Sequence, residues 1–164
     1  VMTRSFGTGD SLGPGLVPEI IGHLEGAASV VLGSGIGRLD GVRELVAGLA
    51  AGIQASLVIA ADALSATGTG LGPISSIVSD GERVAVNTLP APALATAGTG
   101  DVLAGVVGAF LGRGLDAIDA ASAAVFAHAV AGGIAAVNVG NRDGVIATDV
   151  IQALPQAMIP PAGG

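Results

Sequence analysis

Apolar positions along this chain fall into two kinds of pattern. Residues 29–32 (S-V-V-L) and 57–60 (L-V-I-A) are short, continuous apolar runs, the pattern of strands buried on both faces of a parallel sheet. Between them Leu39, Val42, Leu45, Val46 and Leu49 recur at spacings of three and four, which predicts a helix over 39–51 that Gly52 can end. Together these make a βαβ unit. Its crossover should be right-handed, and a ligand should lie beyond the carboxyl ends of the strands, near Gly33-Ser34-Gly35-Ile36-Gly37 and near Asp62. Residues 65–72 form a small-residue linker without periodicity. Residues 74–79 and 83–87 flank Asp80-Gly81-Glu82 and predict an antiparallel hairpin. Pro90 and Pro92 hold the chain extended, and from Asp101 onward Val102, Leu103, Val106, Val107, Phe110 and Leu111 give one helical face, ended over 112–114. A second helix is predicted from about 116 to 137, and a third from Thr148, as its N-cap, to about 157. The fold class expected is α/β, in a single domain over residues 1–164.

Composition sharpens this picture by exclusion. The chain is 164 residues, 51% hydrophobic and 12% charged, long enough for one domain to bury roughly two-thirds of its unfolded surface. With no Trp, no Tyr and three Phe, the core must be built from Val, Leu, Ile and Ala. The absence of Cys excludes disulfides and thiolate metal sites and agrees with a reducing, cytoplasmic setting. The net charge is -7, and every base is an arginine: Arg4, Arg38, Arg43, Arg83, Arg113 and Arg142, scattered along the chain. Nucleic-acid binding needs clustered bases and is excluded. The lack of Lys also excludes Schiff-base chemistry and the lysine of a Walker phosphate loop. Residues 1–10 lack the basic and apolar regions of a targeting signal. Residues 120–139 approach the ~20 apolar positions of a membrane span. They are mostly Ala and Gly with His128 near the centre, which reads as a buried helix instead.

Gly-Thr-Gly occurs three times, at 7–9, 68–70 and 98–100. The first runs into Gly13-Pro14-Gly15, and the second lies in the linker. Only Gly98-Thr99-Gly100-Asp101 opens directly into an amphipathic helix, whose first N–H groups and positive dipole end would face an occupant of the loop. Such a turn can bind an anion. Glycine lets the backbone approach phosphate oxygens, Thr99 can donate a hydroxyl, and Asp101 could deprotonate an attacking hydroxyl. The alternative is a glycine loop whose acid only complements the helix dipole.

Residues 93–105, A-L-A-T-A-G-T-G-D-V-L-A-G, resemble the active-site segment of the ADP- or ATP-dependent NAD(P)H-hydrate dehydratases of the ribokinase-like superfamily. Other segments agree in order. V-V-L-G-S-G-I-G-R at 30–38 is similar to that family's V-V-L-G-P-G-L-G-R, and Ala61-Asp62-Ala63-Leu64 to the end of its L-D-A-D-A-L. V-F-A-H-A-V-A-G at 125–132 resembles V-Y-L-H-G-L-A-G, and 146–155 resembles the closing helix. The resemblance implies a three-layer αβα fold around a mainly parallel sheet and the repair of a damaged cofactor. Hydrated NADH or NADPH would be phosphorylated on its added hydroxyl by ADP or ATP, with Mg²⁺ assisting, and phosphate then eliminated. On that reading Asp101 is the catalytic base and contacts substrate. Thr96, Ala97, Gly98, Thr99 and Gly100 hold the nucleotide's phosphate, and Gly35 and Gly37 admit the substrate. Apart from the resemblance, Asp62, just past a strand end, is a metal candidate, with N-capping as the alternative.

The sequence also departs from the family. Relative to it the chain is expected to be truncated at the N-terminus and shortened between Leu64 and Pro73, where the family carries an H-P-x-E motif and a K-G-x-x-T-like segment. Leu71 stands in place of that lysine, Ile74 where a polar residue is usual, and Ala60 in place of the first Asp of D-A-D. An incomplete fold would expose apolar surface, so a homo-oligomer is expected, with a small-molecule substrate and with neither nucleic acid nor membrane as partner. Two other readings remain: a ribokinase-like kinase of a vitamin precursor, which would share the shorter G-T-G-D, and a degenerate, non-catalytic nucleotide-binding paralogue. Other polar residues call for no chemistry. His128 reads as a structural, hydrogen-bonded histidine. His23 and Glu25 do not share a helical face, Asp116 and Asp119 complement a helix dipole, and Asn141-Arg142-Asp143-Gly144 reads as a turn.

Overall fold

The computed structural model describes residues 3–7, 12–37, 40–60, 77–79 and 82–158. The chain divides into two compact units, Val1–Gly72 and Pro73–Gly164.

In the first unit a 3-10 turn, Pro14–Leu16, leads into helix α1 (Val17–His23), followed by strand β1 (Ser29–Leu32), helix α2 (Val42–Gly52) and strand β2 (Ser56–Ile59). β1 and β2 pair in parallel, with Ser29 opposite Ser56 and Leu32 opposite Ile59. This is the expected βαβ order. α2 starts at Val42 because Gly41 takes a left-handed φ of +87° at its N-cap; Leu39 lies outside the described residues. Val42, Leu45, Val46 and Leu49 form the buried face, as their spacing predicts. On another face of α2, Gly48 and Gly52 are one turn apart and leave a groove for Val17 and Ile21, which are one turn apart on α1. A Cβ at Gly48 would lie 2.8 Å from Val17 Cγ2. Helix α1 is an addition to the sequence reading, which stops at Gly13-Pro14-Gly15. Its signal was Val17, Ile20, Ile21 and Leu24 at helical spacing, with Pro18 in the first turn.

In the second unit strands β3 (Ile77–Ser79) and β4 (Val84–Val86) pair antiparallel, with Ser79 opposite Val84. This is the expected hairpin, although Asp80 and Gly81 of its turn lie outside the described residues. Among the described residues the strands thus form two separate two-stranded sheets, one parallel and one antiparallel. The chain is α/β, with more helix than strand. A 3-10 turn, Pro92–Leu94, precedes three helices: α3 (Thr99–Gly112), α4 (Ala117–Val139) and α5 (Ala147–Ala157).

Asp116 is the N-cap of α4, its carboxylate accepting the Asp119 N–H at 2.9 Å, and Gly140 ends the helix at φ +78°. Arg83 reaches Asp116 at 3.4 Å and Asp119 at 3.7 Å. The backbone bond from Asp119, assisted by Arg83, holds the Asp116 carboxyl below its ordinary pKa. The N-cap of helix α5 lies two residues earlier than predicted. Ile146 occupies the N-cap position, Thr148 lies inside the helix, and the Asp149 carboxylate reaches back to accept the Ile146 N–H at 2.9 Å. The turn expected over 141–144 is present, with Asn141 Oδ1 accepting the Asp143 N–H at 3.0 Å.

The core of this unit consists of Ala93, Ala131, Ala135, Val145, Val150 and Ala153, with Leu94, Val102, Ile134 and Leu154 packed against it. Small residues on α4 let α3 and α5 approach it closely. Among the described residues α4 is the one helix long and apolar enough to cross a membrane, yet half of its most apolar stretch is buried within the protein. Ala120, Ala124 and Ala131 are fully enclosed, as in a core helix.

Candidate active site

The candidate residues 96–101 lie where the loop after Pro92–Leu94 opens into α3. Gly98 is the N-cap, at φ +86°, a conformation that a side chain strains. A Cβ there would also lie 3.1 Å from that of Ala147, at the start of α5. The main chain then turns sharply, with the N–H groups of Asp101 and Val102 both donating to the Gly98 carbonyl, at 3.1 and 3.2 Å. The N–H groups of Thr99 and Gly100, the first two of the helix, have no acceptor within it. Apart from its chain neighbours and the adjacent helix backbone, no described atom lies within 4 Å of a Cβ built on Gly100, so this turn is open on its outer side. Asp101, the third residue of the helix, is exposed beside the positive end of the helix dipole.

Thr99 corrects one expectation. Its side chain is 5% exposed, and the hydroxyl turns inward, within reach of the Leu94 carbonyl at 2.7 Å and the Thr96 carbonyl at 2.9 Å. Its single proton is shared between those acceptors and is not directed at an external oxygen. The hydroxyl therefore clamps the loop. What the turn offers outward is backbone N–H, at Thr99 itself and at its neighbours. Thr96 is half-buried, while Ala97, Gly98 and Gly100 are exposed.

From this turn an apolar groove of about 730 Å³ runs between α3 and α5. Gly98 and Asp101 stand at one end, Phe110 and Arg113 at the other, and Val102, Val106, Ile151 and Leu154 line the walls. Asp101 and Arg113 are twelve positions apart on one helix, so the charged ends are separated by roughly 18 Å.

The remaining candidates divide. Gly35 and Gly37, in the first unit, lie in the loop after β1 at φ +73° and +76°, and no described atom crowds them. Asp62, Leu71 and Ile74 lie outside the described residues, as do Thr8 and Gly9 of the first Gly-Thr-Gly and all of the second. His23 is structural: its Nδ1 is 2.9 Å from the Glu19 carbonyl, and its ring meets Phe6 edge-on at 5.6 Å. His128 is 5% exposed, and its Nε2 has no hydrogen-bond partner among the described residues. It is therefore buried as expected but only partly satisfied. Among the described residues no three His, Cys, Asp or Glu side chains gather as a metal site. The inward clamp of Thr99 and the place of Gly132 beneath Leu94 escaped the sequence reading. The one hint was a glycine pair within an alanine-rich helix.

Known proteins align with this region. A family model described as NAD(P)H-hydrate dehydratase matches residues 70–156, which contain the whole loop, α3, α4 and nearly all of α5. The similar segments read at 30–38 and 61–64 lie outside that span. The bifunctional NAD(P)H-hydrate repair enzyme of Hyperthermus butylicus is 42% identical over 87 residues, covering 53% of this chain and 16% of the relative. The enzyme of the same name from Pyrobaculum aerophilum is 43% identical over 82 residues, 50% of this chain and 16% of the relative. The ADP-dependent (S)-NAD(P)H-hydrate dehydratase of Haloterrigena turkmenica is 39% identical over 87 residues, 53% of this chain and 33% of the relative. The matched part thus spans between about a sixth and a third of these relatives. Because the family model covers more than half of the 164 residues, the chain belongs to the NAD(P)H-hydrate dehydratase family.

Proposed function

We propose that this chain carries out nucleotide-dependent dehydration of hydrated NADH or NADPH, as the names of its relatives suggest. The observation that carries the reading is the open first turn of α3, with Asp101 at its third position and Gly98 left-handed before it. Asp101 accepts the proton of the added hydroxyl as that oxygen attacks the terminal phosphorus of ADP or ATP. The phosphorus–oxygen bond to the donor breaks, and AMP or ADP leaves with the electron pair. The carbon–oxygen bond of the phosphorylated intermediate then breaks, phosphate departs with its electrons, and loss of a ring proton restores the double bond. The Thr96–Gly100 segment supports the transferring phosphoryl group through main-chain N–H groups, which is most of what phosphoryl transfer asks of a protein. Gly35 and Gly37 give the substrate close access to the end of β1.

A magnesium ion, when bound, would neutralise phosphate charge. The residues fit such an ion, since Mg²⁺ is commonly held by one or two carboxylates together with substrate phosphates, and Asp101 supplies one exposed carboxylate at the turn. The same reading includes a single three-layer ribokinase-like domain, incomplete relative to the family, in a cytoplasmic setting with neither nucleic acid nor membrane as partner. It also includes self-association, supported by exposed Phe126, Val137 and Ile151.

The test is regeneration of NADH from its hydrate by the full chain, with ADP and with ATP in the presence of Mg²⁺. Asp101→Asn should lower the rate by about 10²–10⁴, the usual worth of a general base, with an unchanged far-UV CD spectrum. Retained activity in that variant removes Asp101 from the mechanism. ATP consumption that leaves a stable phosphorylated product favours a small-molecule kinase instead.

A further inference from the structure

His128 is an ionisable side chain placed in the buried stretch of α4, among alanine, valine and glycine. Burial holds its pKa below the ordinary histidine value, and an interaction with the Thr99 main chain works against that shift. The ring is therefore neutral near pH 7, with one nitrogen donating and the other accepting. Nε2 has no partner among the described residues, which costs stability that an apolar side chain of similar volume would not lose. Four residues further along, on the same face of α4, Gly132 lies under Leu94: a Cβ there would be 2.7 Å from Leu94 Cγ. Leu94 in turn supplies a carbonyl to the Thr99 hydroxyl at 2.7 Å. One stripe of α4 thus underlies both ends of the Leu94–Thr99 clamp.

We propose that His128 is a positioning residue for the anion-binding turn, fixing the Thr99 main chain from beneath and so aiming the first N–H groups of α3. The inference rests on reading that turn as the phosphate site. The experiment compares the full wild-type chain with His128→Leu, His128→Phe and His128→Gln. Stability is read by far-UV CD, the amide resonances of Thr99, Gly100 and Asp101 by NMR, ADP binding with Mg²⁺ by calorimetry, and KM and kcat with the hydrate.

The leucine and phenylalanine chains should be at least as stable as wild type. Their Thr99–Asp101 amides should shift, and both Kd and KM for ADP should rise about three- to tenfold, as for one lost hydrogen-bonding contact, with kcat less affected. Glutamine, which keeps a donor and an acceptor, should recover much of the affinity. A merely structural histidine would make affinity follow stability. Folded apolar variants with wild-type amide positions and ADP affinity overturn the proposal. So does a wild-type ring that shows no NOE to Thr99, an observation that needs no variant to fold. If the wild-type chain neither binds ADP nor consumes hydrate, the proposed function fails, and the amide positions and the NOE still decide the role of His128.

Discussion

Gly132 and Gly133 are adjacent in the middle of α4, and the same substitution at each should have opposite effects. Replacing glycine by alanine in a helix interior is worth about 1 kcal/mol in favour of the helix. At Gly133, which is exposed, no described atom other than its chain neighbours and the adjacent helix backbone lies within 4 Å of the added methyl, so that gain should be realised. At Gly132 the methyl would lie 2.7 Å from Leu94 Cγ, 2.8 Å from Cδ2 and 3.3 Å from Cδ1. Ordinary contact begins near 3.4 Å, so Leu94 would have to withdraw by more than half an ångström. It cannot do so by turning a methyl end alone, because its branch carbon is itself in contact and its carbonyl is bonded to Thr99.

Overpacking of this kind typically costs about 1–3 kcal/mol. The two variants should therefore differ by about that amount, with Gly133→Ala more stable than wild type and Gly132→Ala equal to it or up to about 2 kcal/mol less stable. Having neither Trp nor Tyr, the chain is read by the helical CD signal during urea denaturation. ADP affinity should fall in Gly132→Ala alone, since the strain is delivered to the clamped loop. Equal stabilisation at both positions would refute the reasoning, because it would mean that Leu94 has room to move and that α4 does not hold the loop.

Thr99→Val preserves shape but leaves two carbonyls without their hydroxyl donor, and urea denaturation should show a loss of about 1–3 kcal/mol, largely restored by Thr99→Ser. Asp149→Ala removes the acceptor of the Ile146 N–H and should cost about 1 kcal/mol by the same assay, with fraying at the start of α5 visible in hydrogen exchange. The His128 pKa is lowered on folding from an unfolded value near 6.5, so the unfolded chain binds the extra proton. The stability from keeping the ring neutral is present above about pH 6.5 and is lost as pH falls towards the folded value. His128→Gln should flatten the CD-monitored decline in stability between pH 7 and 5, and parallel curves for the two chains would count against a buried neutral ring.

Much of this was written in the local sequence. Period located α2 and α3 to within a few residues, because apolar residues facing a core recur every three or four positions, whereas α4, apolar on nearly all sides, was located by its start and stop signals. The two continuous runs marked β1 and β2, and Gly-Thr-Gly-Asp before a periodic helix marked the turn that opens α3, since a helix N-terminus and its glycine are local features. Helix α1 was equally local but short, and a glycine and proline cluster drew the reading away from it.

Other features depend on residues remote in sequence, and no periodicity records them. Thr99 could have turned its hydroxyl outward as well as inward. The backbone path through Leu94 and Thr96 brings two carbonyls to it and decides the matter. Thr148 is as good a cap as any threonine, but the chain enters α5 so that Asp149 reaches the Ile146 N–H, and the cap moves two positions earlier. Gly132 and Gly133 are indistinguishable in sequence, and only the seat of Leu94 on α4 separates them. The sequence by itself determined most of the helices and strands and the glycine turn that opens α3, because those follow from interactions within a few residues. Tertiary structure decided which polar groups face outward and which glycine must remain glycine, because burial and close contact are set by elements that meet only in the folded chain.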